Sequence, residues 1–583
     1  MDHRVLGAGA GGDKIVGGGA RPGRSRTKES TVEIDLRLTA PGWVESPQAV
    51  NTSGADDAAV IMARADHPCP DPVSPAVLRD HPGRLAAVRV EEERIVLAVD
   101  RLRSWPLFWT VTGRGDDRRL LVADSTEAVL GTLDDPVACV PALEELQDAG
   151  FVTGPRTFLE DIHQVEQGAV VTVDRSTGRP VQDDYAFFRY TDDEIDDPEI
   201  FGGLFLEALD KTMGRLLERT AGRRLVIPLS GGLDSRLLVA WLRLHGVEDV
   251  LTFTYGLPGS REMAVSQSVA RSAGYPWHGV EIGRAALLEV WHSERTAAFL
   301  RQASALSALP HVQDWYALCR LMDDGVLQRG DVVLPGHTIV GNMHDEGLLD
   351  ALPVSRATVA RALLRHHHSL RGRAHRAERS AWTAPPVRRA LTLGGMTAPT
   401  TQPAANAAAQ GRVVRSVIEG YNIRERQTKY INNSMRAYEQ LGLEWDLPML
   451  DVEMWQAWAR GSAALTVSRS FYQSVIDNLW ARVTGQEAAG YFQVTRVPAT
   501  TRSRLRSGLE AAHLLGAAER GLSAWASLHS PMGFDALVTD MPRPLLAARL
   551  LGGWTVTGAW ARSFTRDTWC EPAHLFGDLA EPA

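Results

Sequence analysis

The sequence has 583 residues, of which 44% are hydrophobic and 23% charged, and its formal net charge is -9 at pH 7. A chain of this length exceeds a single core, so we expect two domains with additions. The acidic balance gives no indication of nucleic-acid binding, and no apolar stretch reaches the roughly 18 residues of a membrane span. Without a signal-peptide pattern, the expected location is cytoplasmic.

The first 195 residues divide into a tail and a strand-rich region. Residues 1–30 are glycine-rich and polar, which predicts a disordered tail. Residues 31–195 contain short alternating apolar runs separated by Gly, Asp and Pro, the pattern of β-strands. The acidic segment "YTDDEIDDPE" resembles a linker and predicts a domain boundary between Asp193 and Glu199.

Residues 200–583 begin with alternating helices and strands. The pattern predicts helices at 201–220, 236–244 and 261–273, and strands at 225–229, 249–256 and the segment "GVEI". This alternation is typical of a doubly wound parallel sheet, which binds ligands at the carboxyl ends of its strands. Beyond about residue 285 the sequence predicts a mainly helical region.

The loop Ser-Gly-Gly-Leu-Asp-Ser, residues 230–235, joins the first of these strands to a helix. Its two glycines allow the backbone to approach a ligand closely, and the following helix begins with unpaired N–H groups and a partial positive charge. An anion is therefore expected there. Asp234 lies among these donors, where a carboxylate is useful if a divalent cation bridges it to phosphate oxygens.

In its order S-G-G-L-D-S between strand and helix, this loop resembles the pyrophosphate loop of ATP pyrophosphatases of the asparagine synthetase superfamily. Four further segments resemble the same superfamily, over roughly residues 32–476. They are "DRLRSWPLFW" from Asp100, "GFVTGPRTFLEDIHQVEQGAVVTVD" from Gly150, "RQTK" from Arg426 and "GLEWDLPMLD" from Gly442.

The resemblance implies both a fold and a reaction. The fold is α/β, with a glutaminase-like α+β sandwich over 31–195 and an ATP-pyrophosphatase domain with a doubly wound parallel sheet and a helical C-terminal region over 200–583. In the reaction, a substrate carboxylate attacks the α-phosphorus of ATP, and an amine intercepts the acyl-adenylate. ATP and Mg²⁺ are the implied cofactors. The implied nucleotide-binding residues are Ser230, Gly231, Gly232, Leu233, Asp234, Ser235 and Gly336.

The sandwich departs from glutamine-using relatives, which need a cysteine directly after the initiator methionine. Position 2 is Asp2, and the first cysteine is Cys69. Glutamine hydrolysis by the family's route is therefore not expected, and we predict an inactive sandwich and a glutamine-independent enzyme.

The second active-site loop of the family aligns with "LPGHTIVGNMHDEG", residues 334–347. His337 replaces a glutamate of asparagine synthetases, at a position where β-lactam synthetases have a tyrosine. An imidazole accepts a proton near neutral pH, so we predict His337 as the general base; a structural or substrate-orienting role is the alternative. The second metal-ligand aspartate falls on Val340 in a gapless alignment, and Asp345 or Glu346 supplies it after a shift. We predict Asp234 and Asp345 as metal ligands.

Two further catalytic roles are less clearly assigned by the resemblance. The family's orienting carboxylate aligns with Ile423, and Glu425 is our choice over Glu419. The relatives also use a late lysine to stabilise the adenylate. The sequence has no lysine after Lys429, so either Lys429 has this role or an arginine such as Arg496 or Arg502 substitutes.

These features predict an ATP-dependent, AMP-forming amide ligase. Lasso-peptide cyclases and β-lactam synthetases are similar in lacking the cysteine, which favours macrolactam closure of a lasso precursor peptide. The substrate is then a peptide or small-molecule carboxylate, with a leader-binding protein and a peptidase as partners. The alternatives are amidation or ligation of another small-molecule or surface-polysaccharide substrate, and a noncatalytic regulator.

Overall fold

The computed structural model describes residues 32–46, 60–114, 117–133, 136–312, 314–341, 347–372, 376–396, 407–487, 515–530 and 533–566. The predicted tail at 1–30 and the candidate residues Asp345, Arg496 and Arg502 lie outside these ranges.

The N-terminal part of the described chain contains two sheets. Their strands are β1 (Glu33–Arg37), β2 (Val44–Ser46), β3 (Val60–Ala65), β4 (Leu85–Val90), β5 (Arg94–Val99), β6 (Phe108–Thr112), β7 (Arg119–Ala123), β8 (His163–Gln164), β9 (Ala169–Asp174) and β10 (Pro180–Asp184). One sheet has the order β1-β7-β6-β8 and the other the order β10-β9-β5-β4-β3-β2. All neighbours are antiparallel except β1 and β7.

The two sheets pack face to face. Alternate residues of β4, β5 and β9 point to one side, and there they form a single buried cluster with residues of β6 and β7. Val88, Leu97 and Val171 come from one sheet, and Leu120 and Val122 from the other. The short alternating runs therefore produce the predicted sandwich.

The C-terminal part is built around a parallel sheet. Its strands are β11 (Leu225–Pro228), β12 (Val250–Gly256), β13 (Trp277–Glu281), β14 (Val332–Val333) and β15 (Glu444–Trp445). The order is β13-β12-β11-β14-β15, and every neighbouring pair is parallel. The α/β fold class with a parallel sheet is thereby confirmed. Because β11 is the central strand, the loop that follows it lies at the middle of the carboxyl edge.

The helices are listed here in chain order. They are α1 (Pro75–Leu78), α2 (Thr126–Leu130), α3 (Val140–Ala149), α4 (Pro198–Arg219), α5 (Asp234–Leu244), α6 (Arg261–Ala273), α7 (Arg284–Trp291), α8 (Glu294–Ser304), α9 (Trp315–Asp323), α10 (Gly347–Asp350), α11 (Arg356–His367), α12 (Arg376–Leu393), α13 (Ala407–Tyr421), α14 (Arg436–Gln440), α15 (Val452–Trp458), α16 (Ala463–Thr466), α17 (Ser470–Thr484), α18 (Leu515–Leu528), α19 (Arg543–Leu551) and α20 (Val556–Phe564). A π-helix (Asn422–Ile431) continues α13, and 3₁₀ segments lie at Asn432–Met435, Pro448–Leu450 and Phe534–Leu537.

Local sequence signals explain the bounds of the helices around β11. At the start of α4, the Asp197 side chain accepts hydrogen bonds from two backbone N–H groups, and Pro198 occupies its first turn. The N-cap of α6 is Ser260, and Gly274 ends that helix in the left-handed conformation at φ 76°. The predicted helix at 261–273 is confirmed at both ends. None of the helices in the described ranges combines the length and apolarity that crossing a membrane requires.

Candidate active site

The loop between β11 and α5 is held in shape by its two serines. The hydroxyl of Ser230 lies 3.2 Å from that of Ser235 and accepts a hydrogen bond from the Gly232 N–H at 3.2 Å. The Ser230 N–H donates to the Ser235 hydroxyl, also at 3.2 Å. These contacts close the loop into a compact turn directly before the first turn of α5.

A carboxylate lies near one of the loop's backbone donors. Burial raises the pKa of Glu262, in the first turn of α6, and the nearby Gly231 N–H opposes the rise. The loop therefore has a backbone N–H close to an anionic group, as expected of an anion-binding turn.

Asp234, at the start of α5, lies beside Arg469 and Tyr472. The guanidinium of Arg469 donates to its carboxylate in an ion pair. Burial raises the pKa of Asp234, while the nearby Arg469 and Tyr472 oppose the rise. The Tyr472 hydroxyl donates to the Met449 Sδ at 3.9 Å, and Thr338 of the second loop also lies near it. Tyr472 therefore lies between the first loop and the second.

The second loop follows β14 and packs directly against the first. A Cβ built on Gly336 would lie 3.0 Å from the Ser235 nitrogen and 3.2 Å from the Asp234 Cβ. A larger residue at 336 would therefore push the two loops apart. The structure thus brings Gly336 together with Asp234 and Ser235, and its predicted role in nucleotide binding stays a prediction.

His337 follows Gly336 and is half-buried. Burial lowers the pKa of its imidazole to about 4, and the positive charge of Arg426 adds to the effect. The imidazole is therefore neutral at pH 7, which is the state that accepts a proton. The depressed pKa also makes the imidazole a weak base, and its role as general base stays a prediction.

Glu425 and Lys429 contact each other and the sandwich. The Lys429 Nζ donates to the Glu425 Oε2 at 2.6 Å, to the Val152 carbonyl at 2.7 Å and to the Gly154 carbonyl at 3.0 Å. Glu425 also accepts from the Gly154 N–H at 3.0 Å. The three N–H donors of Lys429 all have partners within the fold. The structure does not bring this pair into contact with residues 230–235, and its catalytic role stays a prediction.

A second ionic network lies beside this pair. The Arg424 guanidinium lies 2.9 Å from Glu166 and 3.0 Å from Asp184. The Arg389 guanidinium lies 2.6 Å from the same Glu166. Arg424 is on the π-helix and Arg389 on α12, whereas both carboxylates belong to the N-terminal part. These ion pairs connect the π-helix and α12 to the sandwich.

Glu419 is a buried carboxyl beside the second loop. Its Oε2 accepts from the Tyr190 hydroxyl at 2.8 Å, while Oε1 has no hydrogen-bond partner among the described residues. A Cβ built on Gly341 would clash with this Oε2. Burial raises the pKa of Glu419 to about 7, with Tyr190 and Arg415 opposing. The sequence analysis considered Glu425 and Glu419 for the orienting role. Of these two, Glu419 lies against the second loop.

A large cavity lies away from this edge of the sheet. Its volume is about 750 Å³, and it opens between the loop after β1 and the segment from Arg436 to Trp445. The guanidinium groups of Arg64 and Arg84 stack on the Trp105 indole at 4.3 and 4.8 Å. None of the predicted site residues lines the cavity, so its size does not identify it as the active site.

The metal ligands stay a prediction. In the described part of the chain, no group of three or more His, Cys, Asp or Glu side chains is arranged to hold a metal ion. Asp234 provides a hard oxygen ligand at the first loop, Glu262 is a second carboxylate beside it, and Asp345 lies outside the described residues. One carboxylate together with phosphate oxygens suits Mg²⁺, which keeps several waters in such sites. The donor chemistry therefore fits Mg²⁺ bound with a nucleotide, and no metal bound by protein side chains alone.

Sequence reasoning missed four residues around the two loops, namely Glu262, Arg469 and Tyr472 at the first loop and Tyr190 beside Glu419. Arg469 and Tyr472 are more than 230 positions from Asp234 in the sequence, so local patterns carry no signal for them. For Glu262 a signal existed, because an acidic residue in the first turn of α6 points toward the same edge of the sheet as the loop.

Comparison with protein families gives a match over part of the chain. Residues 205–338 match the family model described as asparagine synthase. This segment contains the first loop and reaches Thr338 in the second. The match supports the asparagine synthetase superfamily and, at that level, an ATP-dependent amidation or ligase activity. A search of curated proteins returned no match.

Three solved structures have weak likeness to the chain. The first is an NH₃-dependent NAD synthetase from Campylobacter jejuni (12% identity, TM-score 0.20), with 35% of this chain and 98% of that chain covered. The second is titled as the allosteric regulatory enzyme of purine biosynthesis (13%, TM-score 0.12, coverage 46% and 44%). The third is a glutamine phosphoribosylpyrophosphate amidotransferase from B. subtilis complexed with ADP and GMP (12%, TM-score 0.11, coverage 72% and 67%). At these TM-scores the likenesses support no conclusion.

Proposed function

We propose that the protein is a glutamine-independent amide ligase that converts ATP to AMP and pyrophosphate through an acyl-adenylate. The observation that carries the proposal is the first loop, with Asp234 at the start of α5 and Gly336 packed against it at the carboxyl edge of the central strand. Backbone N–H groups, a helix N-terminus and a carboxylate meet there, and these groups suit a nucleotide's pyrophosphate.

In the first step, a carboxylate oxygen of the substrate attacks the α-phosphorus of ATP. The bond from the α-phosphorus to its bridging oxygen breaks, and pyrophosphate leaves. Donors of the first loop stabilise the charge on the departing group, so that positioning and electrostatics provide most of the acceleration. Mg²⁺, when bound at Asp234, neutralises part of the phosphate charge.

Arg469 suits a role in this step. Its guanidinium is paired with Asp234. A phosphate group offers the same planar donors a stronger partner, because guanidinium and phosphate form bidentate hydrogen bonds. We infer that Arg469 transfers from Asp234 to the nucleotide, which releases Asp234 for Mg²⁺. Arg469 then has the role of the late basic residue. Lys429, Arg496 and Arg502 are not needed for it.

In the second step, an amine attacks the acyl carbon, and AMP leaves with one oxygen of the original carboxylate. The attacking nitrogen must lose a proton, and His337 is the proposed acceptor. Its neutral state at pH 7 is suited to that role. The negative charge of the adenylate stabilises the protonated imidazole and so raises its pKa from about 4 when the intermediate is present.

For the substrate, we propose macrolactam closure of a lasso precursor peptide, with the peptide's own amine as the nucleophile. This proposal rests on the resemblance to lasso-peptide cyclases and β-lactam synthetases, on Asp2 in place of the cysteine and on His337 in place of the glutamate. A leader-binding protein and a peptidase are the proposed partners. Ligation of another small-molecule or surface-polysaccharide carboxylate is the competing proposal.

The experiment is ATP–pyrophosphate exchange across candidate peptides and amino acids, with the wild type and Asp234→Ala. Exchange that requires one substrate and is lost in Asp234→Ala supports adenylation and identifies the substrate class. Absence of exchange with every substrate, together with absence of ATP–Mg²⁺ binding at millimolar concentration, contradicts the proposal and favours a noncatalytic regulator.

A further inference from the structure

Arg426 is a half-buried cation beside the second loop. Its guanidinium carbon lies 5.7 Å from the centre of the Tyr430 ring. Among the described residues, no ion pair or hydrogen bond involves this guanidinium. A partly desolvated guanidinium of this kind gains substantially from an anionic partner, because its charge is weakly screened there.

Two imidazoles, those of His311 and His337, lie near Arg426. The His311 ring meets the Tyr430 ring edge-on, with ring centres 5.4 Å apart. Burial, together with the nearby His337 and Arg426, lowers the pKa of His311 to about 3. Burial likewise lowers the pKa of His337, again with Arg426 contributing. Both imidazoles are therefore neutral at pH 7, and the cluster of three side chains carries the single positive charge of Arg426.

The nearest carboxylate on the same segment as His311 is already engaged. Asp314 lies three residues further along, and its Oδ2 accepts a hydrogen bond of 2.5 Å from the Tyr438 hydroxyl. A neutral imidazole presents one N–H donor, so the cluster offers up to two imidazole donors and a guanidinium fork to a ligand. This is the donor set that binds a carboxylate.

The cluster also adjoins the first loop. His337 follows Gly336, whose backbone packs against Asp234 and Ser235. The cluster therefore includes the residue that directly follows the contact between the two loops. This position suits a substrate carboxylate that reacts with the nucleotide. A guanidinium that only packed on Tyr430 would have no such role.

We propose that Arg426, His311 and His337 form the binding site for the substrate carboxylate that becomes adenylated. The inference rests on the proposed function and adds the residues that select the acceptor group. Arg426 forms the ion pair, and the imidazoles donate hydrogen bonds. Binding of the carboxylate neutralises Arg426, so His337 gains proton affinity only once substrate is present.

The test uses the full chain without nucleotide and acetate or N-acetylglutamate as the probe. With ¹⁵N-labelled histidine, NMR follows the ring signals of His311 and His337, which His311→Gln and His337→Gln assign. We expect saturable shifts of both signals, with affinity weakened roughly 10- to 100-fold in Arg426→Gln and partly retained in Arg426→Lys. Arg320→Gln, at an exposed ion pair with Asp324 on α9, is the matched control and leaves affinity unchanged.

Thermal unfolding of each variant establishes that the fold is intact before affinities are compared. Unchanged carboxylate affinity in folded Arg426→Gln, or the absence of saturable shifts in the wild type, overturns the inference. Because the probe binds without ATP, this outcome is separable from the proposed function. Carboxylate binding without pyrophosphate exchange supports the carboxylate site and contradicts adenylation. Pyrophosphate exchange together with unaltered carboxylate affinity in Arg426→Gln supports adenylation and contradicts the carboxylate site.

Discussion

The carboxyl edge of the parallel sheet and the contact between the π-helix and the sandwich are both rich in charged residues, but they satisfy those charges differently. At the sandwich contact, Lys429 has three protein partners and Arg424 lies between two carboxylates. At the sheet edge, Asp234 and Arg469 are both partly exposed. Arg426, on the π-helix, has no acidic partner among the described residues.

This difference separates groups that hold the fold from groups available to a ligand. Removing one partner of a buried, fully bonded pair leaves an uncompensated charge inside the protein, which is costly. A partly exposed charge with one exchangeable partner loses little when that partner is replaced by a ligand. The Glu425–Lys429 pair is therefore expected to affect stability first, and Asp234 is expected to affect chemistry first.

The largest effect is expected from Asp234→Asn. This change keeps the shape of the side chain and removes its charge, so the proposed Mg²⁺–pyrophosphate contact is weakened where charge develops. We expect pyrophosphate exchange to fall by about 10³-fold, with a melting temperature close to that of the wild type. Exchange within threefold of the wild-type rate would contradict the difference between the two regions, because Asp234 at the sheet edge would then have only a structural role.

Lys429→Met tests the other side of the comparison. Because the change removes the closest cationic partner of the buried Glu425, we expect the free energy of unfolding in urea to fall by about 3–5 kcal/mol. Lys211→Met is the matched control, because Lys211 and Glu207 form an exposed pair at the same i,i+4 spacing. The control is expected to change stability by less than about 0.5 kcal/mol. A folded Lys429→Met protein with unchanged stability and lost exchange would instead support the catalytic role predicted from the sequence.

The pH dependence of kcat/KM tests His337. A general base must be unprotonated, so activity falls as the pH drops through its pKa in the free enzyme. Because that pKa is about 4, the acidic limb is expected well below the 6.5 of an ordinary histidine. His337→Gln is expected to remove the limb and to lower kcat by about 10²-fold. A limb that persists in His337→Gln assigns the base to another group, with Glu419 the next candidate.

The smallest effect is expected from Arg469→Gln. Loss of the guanidinium removes a phosphate partner, so ATP–Mg²⁺ affinity measured by calorimetry is expected to fall about tenfold. Arg482→Gln, in the last turn of the same helix α17, is the control and leaves affinity unchanged. Tighter binding in Arg469→Gln would show that Arg469 only blocks Asp234, and would remove it from the proposed first step.

The first loop was predictable from the sequence because its signal is local. A strand, two glycines, an acidic residue and a helix follow one another within about twenty positions, and caps fix the bounds of α6. The arrangement of the sheet follows from the same alternation of elements. These features depend on short-range preferences, which a single sequence displays.

The surroundings of the loop were not predictable, because they depend on long-range packing. Arg469 reaches Asp234 from α17, and the strand-rich part supplies Val152 and Gly154 to Lys429. The π-helix adds a further reason, because its wider turn changes which side chains share a face. Spacing along the chain favoured Glu425 for the second loop, whereas the structure places Glu419 there.

The most direct test of the central claim is transfer of ¹⁸O from a labelled substrate carboxylate, followed by ³¹P NMR of the nucleotide products. An acyl-adenylate mechanism transfers one carboxylate oxygen to AMP, so we expect one ¹⁸O in AMP for each amide bond formed and none in pyrophosphate. Unlabelled AMP, or ADP and phosphate as the products, would contradict adenylation at the Asp234 loop.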